Sequence, residues 1–415
     1  MLPVNQAESI ILNLVQPLDS QRDVEIVDLL NASGRILATP VSSQLDFPHW
    51  DNSAMDGYAV KFTDVKDCSP ENPVSLEIIE EIPAGYQPQQ QIISGQTARI
   101  FTGACIPPGA DTVVMQEVTQ REGNRVLILE TPQPQEFVRY QGSFYQANTP
   151  LLNPGIRLSA TEIAVLAALQ CPKIPVYRRP KVGIISTGNE LVTPEQPLQP
   201  GQLVDSNQYA LAVAVAQMGA EVIRFGIVPD EREILKQTIA KAVTTTDFLL
   251  STGGVSVGDY DYVEDILTEL GAEIHIHSVA VKPGKPLTVA KFSDTQCLYF
   301  GLPGNPVSAL VSFWRFVQPG LKKLAGVEQT AWKPEFVAAR SLQDLRSNGK
   351  RETYLWGNLN LGNDGYEFQL AVGSHSSGNL INLAGTTGLA VVPLNETLIA
   401  AGESVQVLKI SSNYL

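Results

Sequence analysis

The stretch DFLLSTGGVS, residues 247–256, decides the fold because it joins an apolar strand to a glycine-rich loop. Residues 248–252 form a short, almost continuously apolar run, which is typical of a strand covered on both faces. The residues that follow are small, hydroxylated and rich in glycine, the composition of a loop that wraps an anion. This combination predicts an α/β sheet with a ligand beyond the carboxyl ends of its strands.

Similar apolar runs lie on both sides of this stretch: VGIIST at 182–187, AEVIRFGIV at 220–228 and CLYFGLP at 297–303. Helical patterns separate them, including NQYALAVAVAQMG at 207–219, for which Asp205 or Ser206 is the expected N-cap, and a capping box at 230–233. The alternation predicts a doubly wound parallel sheet with helices on both faces, the α/β region, over residues 178–328.

The sequence pattern changes on either side of the α/β region. Residues 46–145, the β-module, hold short β-rich runs between Pro and Gly turns. Residues 329–415, the C-terminal region, also alternate like strands, as in TYLWGNL, LAVVP and SVQVLKI. Together these patterns predict a multidomain α/β plus β chain with a C-terminal β-domain.

The remaining segments, residues 1–45 and 146–177, are predicted to form one elongated, discontinuous helical domain, the N-terminal region. Apolar residues recur at helical spacing over residues 7–16, and the pattern continues over 24–37. Ser159 and Glu162 form a capping box before a further helix. The β-module is therefore predicted to be inserted into the N-terminal region.

Composition narrows the functional class. The chain has 415 residues and a formal net charge of −14, from 29 basic and 43 acidic residues, which argues against a general nucleic-acid binder. We find no basic, cleavable secretory leader and no apolar run long enough to span a membrane. The four cysteines lie far apart, which favours reduced thiols. A soluble cytoplasmic protein is expected.

Three loops leave the predicted carboxyl edge of the sheet, at residues 187–190, 252–258 and 302–308. The last enters a helix with Pro306 in its first turn, and the segment KPGKP supplies Lys282 and Lys285. Gly and Pro alone can turn the chain at each loop. Three such loops on one edge, with two ammonium groups, favour an anion site. The nucleoside-triphosphatase and dinucleotide glycine motifs are absent.

Carboxylates accompany these loops. Glu264 and Asp265 fall in the first turn of a predicted helix, where acids complement the helix dipole. Asp261 lies closer to its loop, and Glu190 and Asp230 come from other strand ends. Carboxylates that converge beside a phosphate predict a divalent cation.

A polar run, DNSAMDGYAV at residues 51–60, leads into the β-module. It is too polar for a typical strand and rich in side-chain donors. By itself it predicts a hairpin or an Asx-turn segment.

Together these motifs resemble the MoeA family, the molybdopterin molybdenumtransferases, to which the C-terminal domain of gephyrin is related. The matching segments span the chain in family order: DNSAMDGYAV at 51–60, IFTGACIPPGADTVVMQE at 100–117, STGNEL at 186–191, DSN at 205–207, STGGVSVGDYDY at 251–262, KPGKP at 282–286 and GLPGNPVSA at 301–309.

The resemblance implies an enzyme of molybdenum cofactor biosynthesis. In the implied reaction, molybdenum from molybdate enters adenylylated molybdopterin and AMP is released, with a divalent cation, commonly Mg²⁺, assisting. The resemblance also implies an elongated homodimer whose cleft lies between the α/β domain of one subunit and the β-module of the other. Expected partners are the molybdopterin adenylyltransferase and cofactor-accepting enzymes.

The resemblance also implies roles for individual residues. The implied catalytic residues are Asp56, Thr102, Glu190, Asp230, Asp261, Lys282 and Lys285. Glu190, Asp230 and Asp261 are the implied metal ligands. The implied substrate-binding residues are Arg139, Ser251, Thr252, Gly253, Gly254, Ser256, Gly304, Asn305, Pro306, Ser308, Arg351 and Ser377.

The chain departs from the family pattern at three places. Ser143-Phe144 stands where many members carry an acidic pair, Asn189 where many carry Asp, and Ser278 where many carry Lys or Arg. The first and third departures remove charges expected around the cleft.

Two other functions compete with this interpretation. One is the molybdopterin adenylyltransferase, which uses the same α/β fold. The other is a non-catalytic scaffold, a role that gephyrin also has.

Overall fold

The computed structural model describes residues 1–253 and 262–410. Its centre is the sheet of the α/β region, whose six strands lie in the spatial order Glu221–Val228, Lys181–Thr187, Phe248–Thr252, Leu298–Leu302, Pro286–Phe292 and Ala272–Ser278. The first four strands run parallel. The apolar runs seen in the sequence are therefore confirmed as strands of one sheet.

One strand, Pro286–Phe292, runs antiparallel to both of its neighbours, Leu298–Leu302 and Ala272–Ser278, which corrects the expectation of an all-parallel sheet. Ala272–Ser278 therefore runs in the same direction as the first four strands. The link between Phe292 and Leu298 is shorter than the dozen or more residues that a crossover between parallel strands requires. The chain must therefore reverse direction there.

Helices cover both faces of this sheet, as predicted. Phe248 and Leu250 pack into a hydrophobic core on one face, and Leu249 between them packs into a separate core on the other. Such burial on both faces explains the continuously apolar strand. The helices of the α/β region are Asn207–Gln217, Arg232–Val243, Val263–Glu269, Pro306–Ser312 and Gln318–Leu324, with a π-helical turn at Phe313–Val317.

Of the three helix caps predicted from the sequence, two are confirmed and one is wrong. At the helix Ala160–Ala168 the capping box is confirmed, since the Glu162 carboxylate accepts the Ser159 N–H at 2.8 Å. Asp205 Oδ1 accepts the N–H of Gln208 at 3.1 Å, so Asp205 rather than Ser206 caps the next helix. The capping box predicted at 230–233 is wrong, because the helix Arg232–Val243 begins without a side-chain cap.

The N-terminal region is less helical than expected. Its described α-helices are Val4–Leu14 and Ala160–Ala168, and the former packs against the core of the α/β sheet. The continuous helical pattern over 24–37 is wrong: Val24–Asp28 is a strand, paired antiparallel with Lys173–Tyr177, and only the short 3₁₀ helix Leu29–Ala32 is helical. Its β-branched residues favour an extended backbone once a partner strand is available.

The β-module is built on six strands in the spatial order Thr112–Met115, Gly57–Val60, Gln96–Ile100, Val74–Ile82, Arg125–Ile128 and Thr119–Glu122.

The polar run at 51–60 is not a hairpin. It contains two strands with different partners: Asn52–Ser53 pairs with Val138–Arg139, and Gly57–Val60 joins the main sheet. Ser53 is fully buried, and its hydroxyl donates to the Met55 carbonyl at 2.5 Å.

The C-terminal region is a closed barrel of five strands. Their order is Glu352–Gly362, Gly365–Leu370, Phe336–Ser341, Ser404–Lys409 and Gly388–Val392, and the last pairs again with the first. A short strand of the α/β region, Val281–Lys282, joins the barrel beside Glu352–Thr353. The barrel is thereby attached next to the ligand edge of the central sheet.

Across residues 1–253 and 262–410, no helix is both long enough and apolar enough to cross a membrane.

Candidate active site

A cavity of about 1050 Å³ lies where the carboxyl edge of the central sheet faces the barrel. Thr187, Thr252 and Pro303 line it from successive strand ends, which is where open α/β sheets bind ligands. Residues 351–355 and 375–378 form the facing wall. The main cleft is thus shared by two parts of the chain that are distant in sequence.

Backbone pairing brings the two walls together. Val281 and Lys282 pair in parallel with Glu352 and Thr353. The Arg351 guanidinium then donates through Nη1 to the Val281 carbonyl at 3.2 Å. Lys282 and Arg351 consequently lie on adjacent segments, and both line the cavity.

The side of the cavity that carries Lys282 and Arg351 is positively charged. Lys282, Lys285 and Arg351 all line it, and no described residue forms a salt bridge with any of them. Arg346 stands at the same cavity but is paired with Asp344 at 2.7 Å, with 72% of its side chain exposed. Three uncompensated positive charges at one cleft favour an anionic ligand.

The loop after Phe248–Thr252 approaches its neighbour closely at Gly253. Its φ of +88° lies in the left-handed region, and a Cβ there would lie 2.5 Å from the Thr187 carbonyl oxygen. Only glycine satisfies both conditions without strain. The glycine therefore lets two strand-end loops meet at the cavity.

Asn207 connects the cavity to a third loop. Its Nδ2 donates to the Gly304 carbonyl at 2.7 Å, while its Oδ1 is buried and accepts from no described residue. The loop at 304–308 is also held from the barrel, since the Val307 N–H donates to the Ser377 carbonyl at 3.3 Å. Pro306 occupies the first turn of its helix, as predicted.

The predicted acidic residues Glu190 and Asp230 lie on two adjoining loops. The Glu190 carboxylate folds back over Gly188, where an added Cβ would lie 2.7 Å from Glu190 Oε2. Asp230 Oδ2 accepts the Asn189 N–H at 3.3 Å, which draws its loop toward that of Glu190. In the described part of the chain, no three His, Cys, Asp or Glu residues cluster as a metal site.

A separate polar cluster lies on the β-module. Asp56 Oδ1 accepts two hydrogen bonds from Thr102, at 2.8 Å from the N–H and 2.7 Å from the hydroxyl. These bonds, aided by the nearby charge of Arg99, lower the pKa of Asp56. Asp56 is therefore held as a carboxylate facing solvent.

The predicted site residues divide into four groups by position. Those lining the cavity are Glu190, Thr252, Gly253, Lys282, Lys285, Gly304, Asn305, Pro306, Ser308, Arg351 and Ser377. Ser251 is fully buried in its strand, and Asp230 lies on the adjoining loop. Asp56, Thr102 and Arg139 lie on the β-module and do not line this cavity. Gly254, Ser256 and Asp261 lie outside the described residues.

Sequence reasoning assigned no role to His375, Arg346 or Asn207, which also line the cavity. The His375 Nε2 lies 2.9 Å from the Ala371 carbonyl, so Nδ1 remains as the acceptor, and burial lowers the pKa of His375. The DSN motif at residues 205–207, which ends at Asn207, was the one sequence pattern that pointed to this residue. No sequence pattern indicated His375 or Arg346, because the alternation of a barrel strand does not reveal which loop of the barrel faces a neighbouring sheet.

Three family profiles match the chain in succession. They are described as the MoeA N-terminal region (domain I and II), matching residues 2–169, a probable molybdopterin binding domain, matching 183–323, and the MoeA C-terminal region (domain IV), matching 338–410.

Curated proteins named molybdopterin molybdenumtransferase are similar along nearly the whole chain. One from Nostoc sp. is 61% identical over 411 residues, which cover 99% of this chain and 94% of the relative. One from Haemophilus influenzae is 35% identical over 351 residues, covering 84% of each chain.

A solved structure, the molybdopterin biosynthesis moeA protein from Pyrococcus horikoshii OT3, superposes with a TM-score of 0.85 at 29% identity. The superposition covers 99% of this chain and 100% of that one. The fold, the order of its parts and the sequence similarity agree. The chain belongs to the MoeA family of enzymes, the molybdopterin molybdenumtransferases.

Proposed function

We propose that this protein transfers molybdenum from molybdate to adenylylated molybdopterin and releases AMP. The convergence of Lys282, Lys285 and Arg351 on one cavity is the observation that carries this proposal. Both reactants are anions that repel each other in water. Fixed cations in a shared cleft offset that repulsion and hold the reactants together.

The wall residues suit oxyanion binding. Arg351 is oriented by its hydrogen bond to the Val281 carbonyl, so its remaining guanidinium donors are available to a ligand. The loops carrying Thr252, Gly253 and Ser308 are proposed to hold the phosphate end of the pterin. We further propose that Ser251 supports this loop from its buried position, and that Gly254 and Ser256 continue the cradle.

We propose a divalent cation, commonly Mg²⁺, beside the phosphate. Hard divalent cations prefer oxygen ligands, and the Glu190 and Asp230 carboxylates on adjoining loops have that donor chemistry. Asp261 is proposed as the third carboxylate. When bound, such a cation polarises a phosphoryl oxygen and neutralises its charge. The protein's own carboxylates hold its position.

We propose that Asp56, Thr102 and Arg139 complete the site of a second copy. They do not line the cavity of their own chain, and Asp56 presents an ionised carboxylate to solvent. A homodimer in which the β-module of one subunit faces the cavity of the other would place these residues at the reaction. The four parts would then be domains with boundaries near residues 45, 146, 178 and 329.

We also propose that the protein works in the cytoplasm, receiving its substrate from a molybdopterin adenylyltransferase and delivering the finished cofactor to accepting enzymes. The two competing functions, adenylyl transfer and scaffolding, gain no separate support from the cavity.

The deciding experiment measures AMP release from adenylylated molybdopterin by the full chain, with Mg²⁺ and with or without molybdate. Molybdate-dependent AMP release is expected. Formation of adenylylated pterin from molybdopterin and ATP would indicate the adenylyltransferase instead. A folded protein that releases no AMP would leave scaffolding as the better account.

Two arginines on the cavity provide a matched residue-level test. Arg351→Gln removes a positioned guanidinium and is expected to raise the KM for molybdate by about tenfold or more. Arg346→Gln removes a guanidinium already paired with Asp344, so a change below about threefold is expected. Equal effects of the two variants would refute the assignment of Arg351.

A further inference from the structure

A second cavity, of about 610 Å³, lies where the N-terminal region, the α/β region and the barrel meet; we name it the junction cavity. The N-terminal region contributes Arg157, the α/β region Trp314 and Lys322, and the barrel Lys409. The junction cavity shares no lining residue with the candidate active site. Its volume lies within the range typical of small-molecule sites.

Lys322 is the unusual residue of this cavity. Its side chain is partly buried, and burial lowers the pKa of Lys322 despite the opposing attraction of Glu335. Its ammonium forms no hydrogen bond or salt bridge with any described residue. The next residue differs, since Lys323 donates to the Leu12 carbonyl at 2.8 Å. A partly desolvated ammonium without a partner is unfavourable, and a bound anion would offset that cost.

The charges around Lys322 are also predominantly positive. Glu335 is the one carboxylate among the described lining residues, and it pairs with Lys409 at 2.9 Å. Arg157 also lines the cavity, and its guanidinium forms no salt bridge within residues 1–253 and 262–410. Two cations of the cavity, Arg157 and Lys322, thus form no salt bridge with a described residue.

The same cavity has aromatic walls. Trp314 lies in the π-helical turn Phe313–Val317, a rare element that is frequent at functional sites. Trp332 lies nearby with its indole N–H donating to the Val327 carbonyl at 2.5 Å, and the Lys323 ammonium lies 4.8 Å from its ring centroid. Trp314 also packs against the main hydrophobic core, so two indoles line the cavity and the hydrogen bond to Val327 holds one of them in place.

We propose that the junction cavity binds a small planar aromatic anion, a carboxylate or a phosphate ester. The ring packs against Trp314 and Trp332, and the acidic group pairs with Lys322 and Arg157. Charge-assisted hydrogen bonds and aromatic contacts are the two interactions that this combination of residues provides. Because Lys322 lies outside the active-site cavity, this ligand is distinct from the substrates.

The test uses indole-3-acetate and its uncharged analogue, indole-3-acetamide, as probes on the full chain. Isothermal titration is expected to show indole-3-acetate bound about tenfold or more tightly than the amide. Lys322→Met should abolish this preference, whereas Lys409→Met, which removes an already paired cation, should largely retain it. Equal binding of acid and amide, absence of binding, or an unchanged preference in Lys322→Met would each overturn the proposal.

Thermal unfolding and AMP release serve as controls on these variants. Lys322→Met removes a partly buried, unpaired charge, so its melting temperature should equal or exceed that of the parent protein. AMP release should be unchanged, because the substitution lies outside the active-site cavity. Loss of activity together with a normal melting temperature would instead assign Lys322 to the main reaction and contradict a separate site.

Discussion

Asn189 and Asp230 hold each other's loops through two reciprocal hydrogen bonds. Asp230 Oδ2 accepts the Asn189 N–H at 3.3 Å, and Asn189 Oδ1 accepts the Asp230 N–H at 3.1 Å. The bonds join the loops that follow two neighbouring parallel strands. They also explain why Asp230 does not cap its own helix: its carboxylate is used across the sheet edge.

Asn189→Ala should loosen this connection and displace the acidic loop. The substitution removes an acceptor from the Asp230 N–H, a change that typically costs about 1 kcal/mol. We expect kcat/KM for AMP release to fall by about tenfold and the melting temperature to fall by only about 2–4 °C. Asn189→Asp keeps the acceptor and serves as the control. Full activity in Asn189→Ala would show that the connection does not position the site.

Gly253→Ala should damage the loop at the cavity. The added Cβ would meet the Thr187 carbonyl oxygen at 2.5 Å, and the residue would have to keep a φ of +88°. We expect loss of pterin binding, measured by titration. Gly271→Ala is the matched control, since Gly271 also has a positive φ, of +82°, but an added Cβ there would meet no atom within 4 Å and the residue does not line the cavity. Normal binding by Gly253→Ala would contradict the proposed cradle.

Glu8 should be important for stability because it neutralises a buried cation. Arg315 is 3% exposed and forms a salt bridge with Glu8, while its Nε donates to the Tyr354 hydroxyl at 2.9 Å. Glu8→Ala leaves the guanidinium without a carboxylate and is expected to cost about 3 kcal/mol or more in chemical denaturation. The double variant Glu8→Ala/Arg315→Leu should recover part of that loss. A cost below about 1 kcal/mol would contradict this role.

The capping box at Ser159 should make stability depend on acid pH. Hydrogen bonds from Ser159 are the main cause that lowers the pKa of Glu162 from 4.5 to about 2. A depressed pKa in the folded state stabilises the protein above pH 4.5, and that contribution is lost as the pH falls toward 2. The destabilisation by Ser159→Ala, about 1 kcal/mol at neutral pH, should therefore shrink in acid.

Thermal unfolding followed by circular dichroism at about pH 7 and about pH 3 measures this difference. Ser9→Ala is the control, since the Ser9 hydroxyl donates to the Asn5 carbonyl at 2.9 Å and involves no titratable group. A Ser159→Ala effect that stays constant with pH would contradict the assignment to Glu162.

The central sheet could be predicted because its local pattern and its burial agree. Phe248, Leu249 and Leu250 alternate between two cores, so every side chain of the strand must be apolar. The segment at 24–37 could not be predicted in this way. Its apolar residues fit a helix as well as a strand, and the partner Lys173–Tyr177, far along the chain, decides between them.

The site was predictable wherever a loop follows a predicted strand. Thr252, Gly253, Gly304 and Ser308 line the cavity because strand ends of a parallel sheet share one edge. His375 was not predictable, since its position depends on how the barrel docks. That docking is set by the pairing of Val281–Lys282 with Glu352–Thr353, which neither segment reveals alone.

The sequence by itself determined the strands of the α/β sheet, the glycine-rich loops at its edge and the family motifs, because these depend on short-range patterns of burial and backbone freedom. The tertiary structure decided which distant residues share a cavity. Arg351 reaches Lys282 only through a pairing between two separate parts of the chain. Asp56 and Thr102 of the β-module are 46 residues apart in sequence and are hydrogen-bonded to each other, yet both lie outside that cavity. Such contacts depend on long-range packing, which local sequence patterns do not encode.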